Sequence, residues 1–277
     1  RTLKLGHPFT QGTADSNEVW LDVTVTSGGR VIGRSGGIDP AEGNEVDRWA
    51  HFVNIFMLDR EGNRINRRNP QDIFVPLYNH QIPPGAAWTA HYALDVPPDV
   101  TEPVTVQVKL QYRKFDAEYM RFVAAHARPG DLPLRGHDAG AAYTNDLPIT
   151  TLAEDTITFP VSPAGGRPSE PPPSDRGIPT WERWNDYGIG LLVKGKAELR
   201  QAEEAFGEVE KLGRFDGPLN LARVHFEEGR VDEAAGDLAR AATHADPAPP
   251  PWTLAWLSGL VHRQQGRLEE AEASFRK

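Results

Sequence analysis

The 277-residue chain is 39% hydrophobic and 25% charged with a formal net charge of -9, a balance that supports folded cores and argues against a nucleic-acid backbone as partner, which needs clustered Lys and Arg. It has no cysteine, which excludes a disulfide, a thiolate metal site, a cysteine nucleophile and covalent haem attachment within these residues. No apolar run reaches the roughly 18 residues of a membrane span, no initiator Met or signal peptide opens the chain, and both ends read as cuts from a longer protein.

The first short element is Gly6-His7-Pro8-Phe9, whose histidine reads either as a metal or haem ligand or as a polar turn residue. From Val19 to about Phe159 apolar and polar residues alternate with the period of half-buried strands. Leu21, Val23 and Val25 share one predicted face. Further strands are expected at Val31 to Arg34, His51 to Asp59, Asp72 to Pro76, Trp88 to Val96, Val104 to Tyr112 and Thr156 to Val161. Ser27-Gly28-Gly29 and Asp59-Arg60-Glu61-Gly62-Asn63 read as hairpin turns, and Pro83-Pro84-Gly85 as a loop. Seven or so short strands imply an all-β, immunoglobulin-like sandwich of two antiparallel sheets over residues 1–162.

Within that span Asp39, Glu42, Asn44, Glu45 and Asp47 gather hard oxygen donors in one loop. Asp39, Glu42, Asn44 and Asp47 are candidate calcium ligands, beside the plainer reading of a solvated acidic loop. Gly33-Arg34-Ser35-Gly36-Gly37 fits the pattern of a nucleophile elbow, but Ile38-Asp39-Pro40 follows where a helix is required. No phosphate loop or zinc helix motif is found. His51 and His91 fall on expected strands, where a hydrogen-bonded surface histidine is the default.

Residues 163–180 are rich in Pro and Gly and poor in large apolar side chains, as in a semi-rigid linker. From Trp181 the period becomes helical and a repeat emerges. Gly195, Gly229 and Gly266 are spaced near the 34 residues of a tetratricopeptide unit. Small residues recur at Gly188, Ala222 and Gly259 and at Ala202, Ala234 and Ala271, with Phe206, Leu238 and Phe275 four after the latter set. Two extra residues lie between Gly195 and Ala202, and Pro249-Pro250-Pro251 lengthens the passage into the third unit. Residues 181–277 are therefore read as all-α tetratricopeptide-type repeats, the last truncated. His225 and His262 take the same inward position, which argues packing.

The runs GHPFTQGTADSNEVWLDVTV, SGGID, DREGNRI, HQIPPGAAWTAHYALDVP and LQYRKF resemble the β-domain that follows the haem-binding region of certain large bacterial multihaem c-type cytochromes, many of which continue into tetratricopeptide repeats. The resemblance covers most of residues 1–162. It implies export to the periplasm or cell surface, haem c in an upstream part of the full-length protein, and association with electron transfer. His7, on the Gly-His element, becomes a candidate axial haem ligand, beside the reading of a turn residue.

The expected function is a non-catalytic interaction and scaffolding region. Its partners are other proteins, through the repeats, and a haem-bearing domain or cytochrome subunit. The alternative is a stand-alone secreted module binding carbohydrate or calcium, with a repeat-based docking tail. A hydrolase is disfavoured because no nucleophile, base and orienting group can be assembled.

Overall fold

The computed structural model describes residues 1–2, 5–12, 15–138, 140–162 and 177–277. They form a sheet-rich unit and a helical unit. Most of the expected linker, residues 163–176, lies outside the described residues.

The sheet-rich unit is built on strands β1 (Glu18–Ser27), β2 (Arg30–Ser35), β7 (Val104–Arg113) and β8 (Ile149–Phe159), paired antiparallel in the order β2-β1-β7-β8. Gly28 and Gly29 both take positive φ, 56° and 77°, and close the β1–β2 hairpin as a tight turn whose twist matches the strands. Two smaller ribbons complete the strands, β3 (Ile38–Asp39) with β4 (Glu45–Val46) and β5 (Ile55–Leu58) with β6 (Val75–Asn79). Among the described residues there is thus one four-stranded sheet and two ribbons, and the two facing sheets of an immunoglobulin-like sandwich are not shown.

The stretch Trp88 to Val96 forms no strand: its alternation meets no partner strand, and most of its residues are exposed. A helix that period-two reading passed over, α1 (Ala117–Ala125), follows β7. Asp116 caps it, its Oδ1 accepting a bond from the Tyr119 N–H at 2.7 Å. Ser35 ends β2 and leads into Gly36 and β3 rather than a helix, so the elbow geometry is missing. Gly36 has φ +74°, and a Cβ there would lie 2.1 Å from the Leu21 carbonyl oxygen. Its own carbonyl accepts a bond from the buried Trp20 indole at 3.0 Å.

At its Glu18 end β1 is buried on both faces. Val19 and Trp20 are almost wholly enclosed, and Glu18 faces Arg113 across the ladder, with Arg113 Nε donating to its carboxylate at 2.7 Å. The guanidinium also donates to the Asn44 carbonyl at 2.9 Å. In β7 the buried positions at this end are consequently Gln111 and Arg113, not the Leu110 and Tyr112 that simple alternation selects. A register shift against β8 between Leu110 and Gln111 accompanies the change.

Burial pushes the Glu18 carboxyl up to about 7 against the pull of Arg113, and pushes Asp116 up to about 6. The folded state therefore keeps protons that the unfolded chain releases near 4.5 and 3.8. Folding takes up protons in this window, so these groups contribute full stability below it and lose it as the pH rises through 7. The expected loss between pH 4 and 8, for the two groups together, is of order 6 kcal/mol. Thermal melts across this range should show it, and Glu18→Gln with Asp116→Asn should flatten the curve.

The helical unit comprises α2 (Thr180–Leu192), α3 (Leu199–Lys211), α4 (Asp216–Glu228), α5 (Val231–Ala242), α6 (Pro251–Gln264) and α7 (Leu268–Phe275). Residues 1–2 and 83–89, inside the span assigned from sequence to the sandwich, belong to this unit. Thr2 donates to the carbonyls of Ala86 (2.9 Å) and Pro83 (2.6 Å), and Arg1 pairs with Glu182 and Asp186 of α2. Gly190 lets the 83–89 segment lie directly on α2, since a Cβ there would meet Thr89 Oγ1 at 2.3 Å.

Candidate protein-docking surface

Each pair of helices forms a hairpin: α2 packs with α3, α4 with α5 and α6 with α7, while α3 meets α4 and α5 meets α6. Gly195, Gly229 and Gly266 all take positive φ, between 77° and 96°, where the chain turns from first to second helix. The extra residues of the first unit are absorbed in a 3-10 turn, Lys196–Glu198. Small residues sit where helices cross closely. A Cβ on Gly188 would lie 2.6 Å from the Phe206 ring, and one on Gly259 would lie 2.4 Å from the Phe275 ring. Ala202 and Ala234 are fully buried at the matching points of α3 and α5. Replacing Ala234 with Trp is expected to cost about 1 to 3 kcal/mol by overpacking, read as a lower midpoint in far-UV circular dichroism melts.

The inward histidines are packed, and one is also polar. His225 is buried with Nδ1 2.6 Å from Asp237 Oδ2 and Nε2 3.1 Å from Glu203 Oε1. Burial raises the Asp237 carboxyl, opposed by His225 and by Arg240. His262 repeats the position, with Ser274 Oγ 3.3 Å from its Nδ1. The network therefore ties α3, α4 and α5 together.

A family model for the tetratricopeptide repeat matches residues 187–250 and 219–277. The helical part of the chain is made of tetratricopeptide repeats. No curated protein and no solved structure matches the chain.

The tetratricopeptide register shows one face that differs from its equivalents. In the second repeat Phe215 and Leu219 stand seven and three residues before the small Ala222, and are 9% and 7% exposed. They are enclosed in a cluster with Ala234, Leu238 and Val261, against which Leu254 and Leu257 of α6 also pack. In the third repeat the same positions before Gly259 are Trp252 and Trp256, which are 71% and 56% exposed. Leu268, equivalent to the partly buried Val231, is also exposed, and Phe275 touches Trp256 at 5.2 Å between ring centroids. The third repeat thus presents the residues of a core with no helix over them among the described residues. The signal was legible in the sequence as two tryptophans four apart in the register of Phe215 and Leu219, but only when the repeats are aligned on Ala222 and Gly259.

The residues singled out from sequence lie elsewhere. His7 is exposed in a bend, its Nδ1 2.9 Å from the Pro8 carbonyl oxygen. Asp39 Oδ1 accepts from the Ala41 N–H, Asn44 donates to the Asn145 carbonyl, and Glu42 is exposed. Asp47 has both oxygens engaged by backbone N–H groups, of Trp49 at 3.0 Å and Gly36 at 3.1 Å. Among the described residues no group of three or more His, Cys, Asp or Glu is arranged to hold a metal ion. No helix among them is long and apolar enough to cross a membrane.

Proposed function

We propose that the chain is a non-catalytic docking region whose third tetratricopeptide repeat receives an amphipathic helix, supplied by a further repeat or by a partner protein. The observation that carries this reading is the exposure of Trp252 and Trp256 at positions whose equivalents, Phe215 and Leu219, are buried beneath the following helix. The chemistry of the occupant follows from that equivalent contact: a helix offering apolar residues at the spacing of Leu254, Leu257 and Val261. Two exposed tryptophans are also the side-chain type most enriched where binding energy concentrates. A helix-stabilised, fluorescent peptide with the sequence of residues 250–265 is the probe. Its anisotropy should rise in a saturable way with the full chain, and Trp252→Asp with Trp256→Asp should weaken binding at least tenfold. No binding, or equal binding to the variant, overturns the reading.

On the resemblance of residues 1–162 alone, the proposal extends to the partner. It is the haem-bearing part of a multihaem c-type cytochrome, met in the periplasm or at the cell surface. The exposed His7 offers the test. In a haem-containing full-length protein, His7→Ala changes one haem's spectrum and midpoint potential where His7 ligates iron, and leaves every haem unchanged where it only turns the chain.

A further inference from the structure

The sheet-rich unit holds a cleft of about 560 Å³ between β1, the segment after β4, the β5–β6 ribbon and the start of α1. That is within the usual size of small-ligand sites, about 300 to 1,000 Å³. Phe52, Phe56 and Tyr78 supply aromatic lining, the last two with ring centroids 5.3 Å apart.

Most of the rest of the lining is charged, and its four carboxylates meet three arginines, Asp116 and Glu118 sharing one. Glu18 is held by Arg113, while Asp116 and Glu118 meet Arg64 at 3.5 and 3.0 Å, and Glu45 pairs with Arg121. Arg64 also lies over the Phe56 ring, 4.9 Å from its centroid. What remains is Arg48, which lines the cleft, is exposed, and has no ion-pair or hydrogen-bond partner among the described residues. Its backbone is fixed on the N-terminal side, because Asp47 accepts bonds from the Gly36 and Trp49 N–H groups. The wall also contains Asn54, 7% exposed, whose side chain meets that of Tyr78 and whose Oδ1 receives no hydrogen bond among the described residues. A buried acceptor without a donor is costly unless water or a ligand supplies one.

We infer that this cleft binds a small aromatic carboxylate, its carboxylate on the Arg48 guanidinium and its ring against Phe52, Phe56 and Tyr78. Arginine matches a carboxylate in fork-to-fork geometry, and aromatic rings favour offset or edge contact with one another. A ring hydroxyl on the ligand is the complement of the Asn54 carbonyl. A cationic ligand of the same shape would face Arg48, and would find each lining carboxylate already beside an arginine. A neutral sugar would leave Arg48 uncompensated.

The test is a two-dimensional amide NMR titration of the full chain with 4-hydroxybenzoate, and in parallel with 4-hydroxybenzylamine, which differs in the charge of its head group. Saturable shifts are expected from the benzoate at residues 45–56, 78 and 116–118. Arg48→Gln, at an exposed position that leaves the fold intact, should weaken benzoate binding about tenfold, the equivalent of one charge-assisted contact. Phe56→Leu should weaken it several-fold. The inference is overturned if no saturable shifts fall on the cleft, if Arg48→Gln titrates like the parent, or if the amine binds as tightly as the benzoate.

Discussion

Replacing Phe206 with alanine is expected to lower the stability of the helical unit by about 3 to 5 kcal/mol, the range for truncating a fully enclosed aromatic side chain. Phe206 is 0% exposed and sits in a cluster with Leu191, Leu199, Val209, Leu221 and Val224, drawn from three helices, α2 to α4. Its ring fills the space that Gly188 leaves, so the void cannot close unless two helices move together. The same geometry makes a second expectation. Gly188→Val alone should be destabilising, because its Cβ would meet the ring at 2.6 Å, whereas Gly188→Val combined with Phe206→Ala should recover part of the loss. Urea titration followed at 222 nm measures all three, and strict additivity of the two single changes would show that the pair is not coupled.

Arg113→Met is expected to cost the sheet-rich unit about 3 to 5 kcal/mol, because removing one member of a buried pair leaves the other without compensation. The guanidinium is almost fully enclosed, and it serves Glu18 as well as the Asn44 carbonyl. Burial already pushes the Glu18 carboxyl up to about 7, and without Arg113 nothing on the ladder opposes that push. Glu18 in the variant should take up a proton, so the penalty should be smaller at pH 5 than at pH 8. Adding Glu18→Leu to Arg113→Met should restore much of the loss and remove its pH dependence, since an apolar pair of similar volume needs no compensation. Chemical denaturation at the two pH values checks both expectations.

The repeats were readable in the sequence because their decisive contacts are local. Gly188 meets Phe206 and Gly259 meets Phe275 within one helical hairpin, so that small and large residues recur at fixed short spacing. Strand β7 was readable for a related reason: five alternations from Val104 to Tyr112 express the pleat of a single strand. Trp88 to Val96 carries similar alternation and forms no strand, because a strand exists only where another offers its hydrogen bonds. The burial of Arg113 was likewise invisible, being decided by Glu18, its partner in register on the adjacent strand but distant in the sequence. Helix α1 escaped notice because one Asp cap and two buried apolar residues give too weak a period over so short a run.

Composition and local pattern thus determined the absence of thiol chemistry, the presence of strands before helices, and the repeat register. Tertiary structure alone decided that residues 83–89 belong with α2, that Trp252 and Trp256 lie open while Phe215 and Leu219 are covered, and that Arg48 lines the cleft without an ion-pair partner among the described residues. Each of these depends on which distant segment arrives beside a residue, and the chemistry of the residue itself does not encode that arrival.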